Sequence, residues 1–240
     1  MDVGAGFRLL PGSPAPCQQS PVTCGSACLV VARLLLEPAL AAWLVSPADS
    51  PLRRFADLER GTMRRTNGLA GGPGALQLPW PRSLGTPPWG AMAEIERTGS
   101  LPGTRYELVP LRHRSAAGLT RAAAGLVARV SPGRPALLYV GSATLPRHVV
   151  LVFVNTDGRQ LLVYEPARGE VVPFAAYGLG GAPVAGWPVP WLVIQPQAQV
   201  SAVAPLVATA VRRRSPAMGT AGVCQSTRST SRTSRASAST

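Results

Sequence analysis

A chain of 240 residues with 46% hydrophobic content is long enough for one domain with a sizeable core plus extensions. Its formal charge of +13 rests on 24 Arg and no Lys, and six of those Arg lie in an acid-free tail, which leaves 18 Arg against 11 acids before residue 195. That excess is scattered and lacks the aromatic-interleaved basic stripe that stacks bases, so no specific nucleic acid is expected as a partner.

In chain order, residues 1–16 are Gly/Pro-rich and read as a flexible lead-in. Residues 24–36 carry an apolar helical run that ends at Pro38. The apolar run continues to Val45, but Arg33, Glu37 and Pro38 interrupt it, so a buried core helix is expected and not a membrane span. A short second helix is predicted over 51–60, and 61–88 reads as a long Gly/Pro-rich loop, of a length that is usually functional or mobile. Further helices are predicted over 90–98 and 116–130, the latter with Leu119, Leu126, Val127 and Val130 inward. Strands are predicted over 106–109 and 135–140.

Next comes a hairpin. Residues 149–154 are apolar and β-branched, Asn155-Thr156-Asp157-Gly158 carries an Asp-Gly turn signal, and 161–164 return as the partner strand. The segment 187–194 is a last strand, and Pro near its start marks it as an edge. Residues 195–240 end in Arg/Ser/Thr repeats that cannot bury enough apolar area to offset chain entropy, so a disordered tail is expected. The domain proper is thus 17–194.

Three features of this chain carry chemistry. Cys24 stands with Gly25 at the start of an apolar helix, where the positive end of the helix dipole stabilises a negative charge. Gln19 lies five residues upstream, and its amide can donate to an oxyanion. His148 opens the first hairpin strand and Glu165 closes the second, so the two can meet across the ladder, with the carboxylate orienting the imidazole. The other His, His113, lies between Arg112 and Arg114 with nothing to orient it and reads as a surface residue. Cys28, one turn after Cys24, reads as a small core hydrophobe.

Together, Gln19, the Cys24-Gly25-Ser26-Ala27-Cys28 run, His148 and the Tyr164-Glu165-Pro166-Ala167-Arg168-Gly169 segment resemble a bacteriocin-processing (double-glycine leader) peptidase-like domain. That family is a bacterial branch of the papain-like cysteine peptidases, and the resemblance spans residues 17–191. It implies an α+β papain-like fold, with a helix bearing Cys24 packed on an antiparallel sheet bearing His148 and Glu165. It implies Cys24 as nucleophile, His148 as general base, Gln19 as oxyanion donor, and a peptide or protein substrate cut after small residues such as Gly-Gly. The third position is Glu165 where the family pattern has Asp. Glu is one methylene longer and still accepts from an imidazole N–H, and Asp at this position is expected to retain or raise activity.

No cofactor or metal is expected. Cys17, Cys24, Cys28 and Cys224 form no C-x-x-C pair, and four Cys in a chain of this length are not a disulfide framework. The first ten residues lack the basic start and long apolar core of a secretory signal, so a reduced, cytoplasmic chain is expected. Two alternatives stand beside the peptidase: an inactive peptide-binding module of the same fold, and an Arg-rich nucleic-acid-associated protein.

Overall fold

A computed structural model describes residues 7–68, 80–155, 157–174, 179 and 182–198. Cys224, the rest of the tail beyond residue 198 and residues 69–79 of the Gly/Pro-rich segment lie outside the described residues. Among the described residues five helices and six strands follow in the order α1 (Cys24–Leu34), α2 (Pro38–Val45), α3 (Pro51–Thr66), α4 (Pro88–Thr98), β1 (Tyr106–Pro110), α5 (Ala116–Arg129), β2 (Ala136–Gly141), β3 (Pro146–Val154), β4 (Leu161–Glu165), β5 (Glu170–Pro173) and β6 (Val189–Pro196). A 3-10 turn, Arg82–Leu84, precedes α4. The architecture is α+β: the strands form one antiparallel sheet in the order β1-β6-β2-β3-β4-β5.

Both faces of the sheet are covered, which explains the unbroken apolar run in β3. Val149, Leu151 and Phe153 point to the core shared with α1, α3 and α4, while Val150 and Val152 point to a second core with Leu126 of α5 and Phe174. Helix α1 is the most enclosed helix: of its 11 residues all but Arg33 are buried. It lies on β3, and the Cys28 thiol donates to the Val149 carbonyl at 3.4 Å. Pro38 starts α2 after a bend of 113° between the axes of α1 and α2, and among the described residues no helix is long and apolar enough to cross a membrane.

Five expectations of the fold change. The segment 187–194 is not an edge: β6 sits between β1 and β2. Its Pro190 is tolerated because the register shifts there, with Tyr139 opposite Leu192 but Val140 opposite Pro190, and the ladder to β1 reaches only Leu192. Folded structure also runs past Ile194, since Gln195 is buried and donates to Glu107, and the Gln197 N–H donates to the Arg105 carbonyl. Helix α3 continues through Gly61 to Thr66, because its buried stripe of Phe55, Glu59, Thr62 and Thr66 crosses the glycine and outweighs a cost of about 1 kcal/mol. Val127, expected inward, is exposed on α5.

Residues 7–16, expected as a flexible lead-in, lie along the β4–β5 turn. Gly12 N–H donates to Val171 O, Ala15 N–H to Gly169 O and Gln18 N–H to Pro166 O, while Asn155 Nδ2 donates to Leu9 O. Gly169 has φ of +64°, and a Cβ there would stand 2.4 Å from the Ala15 carbonyl oxygen. The turn after Glu165 therefore requires glycine to admit this strap.

Candidate active site

Cys24 is the first residue of α1, and the helix presents no acidic residue in its first turn and no side-chain cap at Thr23. The first N–H groups of a helix lack intrahelical partners, so the uncapped end directs partial positive charge at this thiol. Thr86 closes over the helix start: Ser26 Oγ and Thr86 Oγ1 share a hydrogen bond of 3.1 Å, and Tyr139 Oη donates to the Thr86 carbonyl. A Cβ on Gly25 would stand 2.8 Å from Thr86 Cβ. Gly25→Ala is therefore expected to destabilise the chain by about 1–3 kcal/mol through overpacking, read as a lower urea midpoint with unchanged slope.

The seat of α1 on β3 positions this thiol. Cys28 rests on Val149 O, and one helical turn back, about 6 Å along the axis, Cys24 falls beside His148, the preceding residue of β3. Register brings the carboxylate in from the other side. Leu151 pairs with Tyr164, so Glu165 lies one position further and is a diagonal neighbour of His148. His148 Nε2 and Glu165 Oε1 are 2.5 Å apart, and both residues are buried. The remaining Glu165 capacity is taken by the Ala167 N–H to Oε1 at 3.0 Å and the Arg168 N–H to Oε2 at 2.8 Å. The structure thus joins His148 directly to Glu165 and sets Cys24 at the start of the helix that packs on the His148 strand.

Electrostatics favour a charged imidazole. Burial opposes its charge, but hydrogen bonds with Cys24 and Glu165 and their negative charges push the His148 pKa up to about 9. Burial likewise opposes ionisation of Glu165, yet the His148 hydrogen bond and the two turn N–H groups hold its carboxyl below the usual range. Cys28 differs: full burial pushes its thiol well up, which keeps it protonated and inert.

The raised His148 value has a consequence for stability. A proton held more tightly when folded stabilises the chain fully below the unfolded value of 6.5, and that contribution is lost as pH rises through about 9. Urea midpoints of the wild type are expected to fall between about pH 6 and about pH 9.5, and to fall less in His148→Gln. An equal fall in both would remove the coupling.

Gln19 is not brought to this cluster. Its side chain is exposed and its Nε2 donates to the Cys17 carbonyl at 2.7 Å, while its backbone N–H is held by Glu59 Oε2 at 3.0 Å. The neighbouring Gln18 turns the other way. Gln18 is half-buried, its Nε2 donates to Ser20 O, and its Oε1 is buried with no partner among the described residues. Its N–H donates to Pro166 O, which fixes it to the turn that follows Glu165.

Two further residues were missed in the sequence. One is Gln18, since two adjacent Gln give no sign of which faces inward. The other is Glu59, 1% exposed, whose hold on the Gln19 N–H clamps the loop before Cys24. Burial pushes its carboxyl up despite that bond. Its signal was available, as it falls on the buried stripe of α3 between Phe55 and Thr62. Asn155 and Asp157 sit at the opposite end of β3 from His148. Among the described residues no group of three His, Cys, Asp or Glu is arranged to hold a metal ion.

No protein-family model matches this chain, and no curated protein matches it. Among solved structures the chain is similar to the Pseudomonas avirulence protein AvrPphB, at a TM-score of 0.46 and 13% identity, over 81% of this chain and 98% of that one. At that score the likeness carries no argument, and the chemistry rests on the cluster itself.

Proposed function

We infer that the protein is a papain-like cysteine peptidase. The observation that carries this is the buried His148–Glu165 hydrogen bond on the strand against which Cys24, at an uncapped helix start, is packed. A thiol, an imidazole and a buried carboxylate in that order supply a nucleophile, its proton carrier and the group that stabilises the cation. In the proposed reaction the Cys24 sulfur attacks the peptide carbonyl with the proton held on His148. The imidazolium then protonates the departing amine, leaving an acyl thioester on Cys24. Water, deprotonated by the now neutral His148, hydrolyses the thioester and frees the thiol.

The oxyanion of each tetrahedral intermediate is assigned to the Cys24 backbone N–H and to a side-chain amide. Burial favours Gln18 for that amide over Gln19, since Gln18 is half-buried with a buried Oε1 while Gln19 is exposed. Gln18→Ala is expected to lower kcat by about 10²-fold, the usual cost of one oxyanion donor, while Gln19→Ala is nearly silent. The reverse ranking would return the role to Gln19.

Substrate identity extends the reading by one step. The resemblance to double-glycine leader peptidases favours cleavage after small residues such as Gly-Gly. Incubation with a peptide library and mapping of new termini by mass spectrometry tests both levels. New termini made by the wild type and absent with His148→Gln support a peptidase, and small residues before the cut support the finer specificity. Termini identical in the two proteins overturn the assignment.

A further inference from the structure

A groove next to the nucleophile's helix is cationic and plays no part in the chemistry above. It encloses about 490 Å³ and is lined by Arg60, Met63, Arg64, Asn67, Gly68 and Arg82. Among the described residues no acid lines it. Arg60 pairs with Asp57 on its own helix, and Arg65 turns away to Glu94. Arg64 and Arg82 are exposed and carry no carboxylate partner among the described residues, so two guanidinium groups share one concavity uncompensated.

The groove is continuous with the segments that hold Cys24. Met63 Sδ accepts from Ser26 Oγ at 3.6 Å, two residues beyond the thiol. Asn67 Nδ2 donates to the Gly85 carbonyl at 3.0 Å, and Gly85 in turn packs on the Val22 carbonyl, two residues before the thiol. These contacts tie the groove wall to residues two before and two after Cys24, and an extended peptide, at about 3.3 Å per residue, has the length to span such a separation.

We propose that this groove is a specificity subsite for an acidic side chain of the substrate, with Arg64 and Arg82 binding the Asp or Glu carboxylate. A guanidinium presents a planar fork of N–H donors that matches a carboxylate, and two of them around one concavity discriminate an acid from its amide by charge and by geometry. The proposal rests on the peptidase reading for the peptide, but the preference itself belongs to the groove and is measurable without turnover.

The test uses full-length Cys24→Ala protein and a random decapeptide library, with the bound fraction sequenced. Asp and Glu are expected to be enriched over Asn and Gln by about 3–10-fold, the scale of exposed charge-assisted contacts. Adding Arg64→Gln and Arg82→Gln is expected to bring the ratio near one. Adding Arg121→Gln and Arg159→Gln instead removes the same charge from exposed sites on α5 and the β3–β4 loop and is expected to preserve the ratio. No enrichment, enrichment that survives the first pair, or equal loss with both pairs overturns the subsite. Wild-type cleavage of the same library reports separately on the peptidase: enrichment without cleavage removes that reading alone, and cleavage without acidic preference removes the subsite alone.

Discussion

Replacing Cys24 by Ala is expected to abolish peptide hydrolysis, by about 10⁴-fold or more, while leaving the fold intact. The sulfur is the nucleophile in the proposed chemistry, so no other group substitutes for it. Cys24 is itself buried at the first turn of α1, but trimming one small side chain there costs about 1 kcal/mol, too little to unfold the chain. Cys28→Ala makes the contrasting case. That thiol is fully buried on the Val149 carbonyl and pushed well toward its neutral form, so its removal is expected to cost about 1 kcal/mol of stability and little activity. Unfolding midpoints and turnover measured on both variants separate the two roles. Well-folded Cys28→Ala protein as inactive as Cys24→Ala would remove the nucleophile assignment.

Glu165→Gln is expected to lower kcat by about 10²–10⁴-fold with a smaller effect on KM. The neutral amide can still meet His148, but it cannot stabilise the imidazolium by charge. The His148 pKa is then expected to fall from about 9 toward its ordinary value, and alkaline inactivation moves to lower pH with it. The contacts of Glu165 favour a lower activity for Asp at this position than the family pattern implies. The Glu165 carboxylate spans His148 on one side and the Ala167 and Arg168 N–H groups on the other. Asp withdraws it by one C–C bond, about 1.5 Å, so it cannot hold both sets of contacts. Glu165→Asp is expected to fall between wild type and Glu165→Gln. Full activity in Glu165→Gln would show that the carboxylate charge is idle.

The sequence read most clearly where local pattern and tertiary environment agree. The β-branched run of β3, the Asp-Gly turn and the return strand required no knowledge of what packs on them, and they place His148 and Glu165 together. Helix α1 was legible for the same reason, as its apolar residues are buried all round. Elsewhere tertiary packing decided. Pro190 marks an edge by local rules, yet a register shift lets β6 run through the middle of the sheet. Gly61 marks a loop by local rules, yet α3 runs through it because Thr62 and Thr66 are buried beyond it. Gln18 and Gln19 are indistinguishable as letters. Which one turns inward is set by the hold of Glu59 on one backbone N–H and of Pro166 on the other. The strap over 7–16 was missed because its ladder partners lie some 150 residues away in the chain, as with Gly12 and Val171.

The central claim is that His148 and Glu165 activate Cys24 in particular. It is tested most directly by the rate at which iodoacetamide alkylates each cysteine at neutral pH, mapped by mass spectrometry in the wild type, His148→Gln and Glu165→Gln. The account predicts that Cys24 reacts much faster than Cys28, and that both substitutions slow Cys24 while leaving Cys28 unchanged. A Cys24 rate no higher than that of Cys28, or one unaffected by loss of His148, would contradict it.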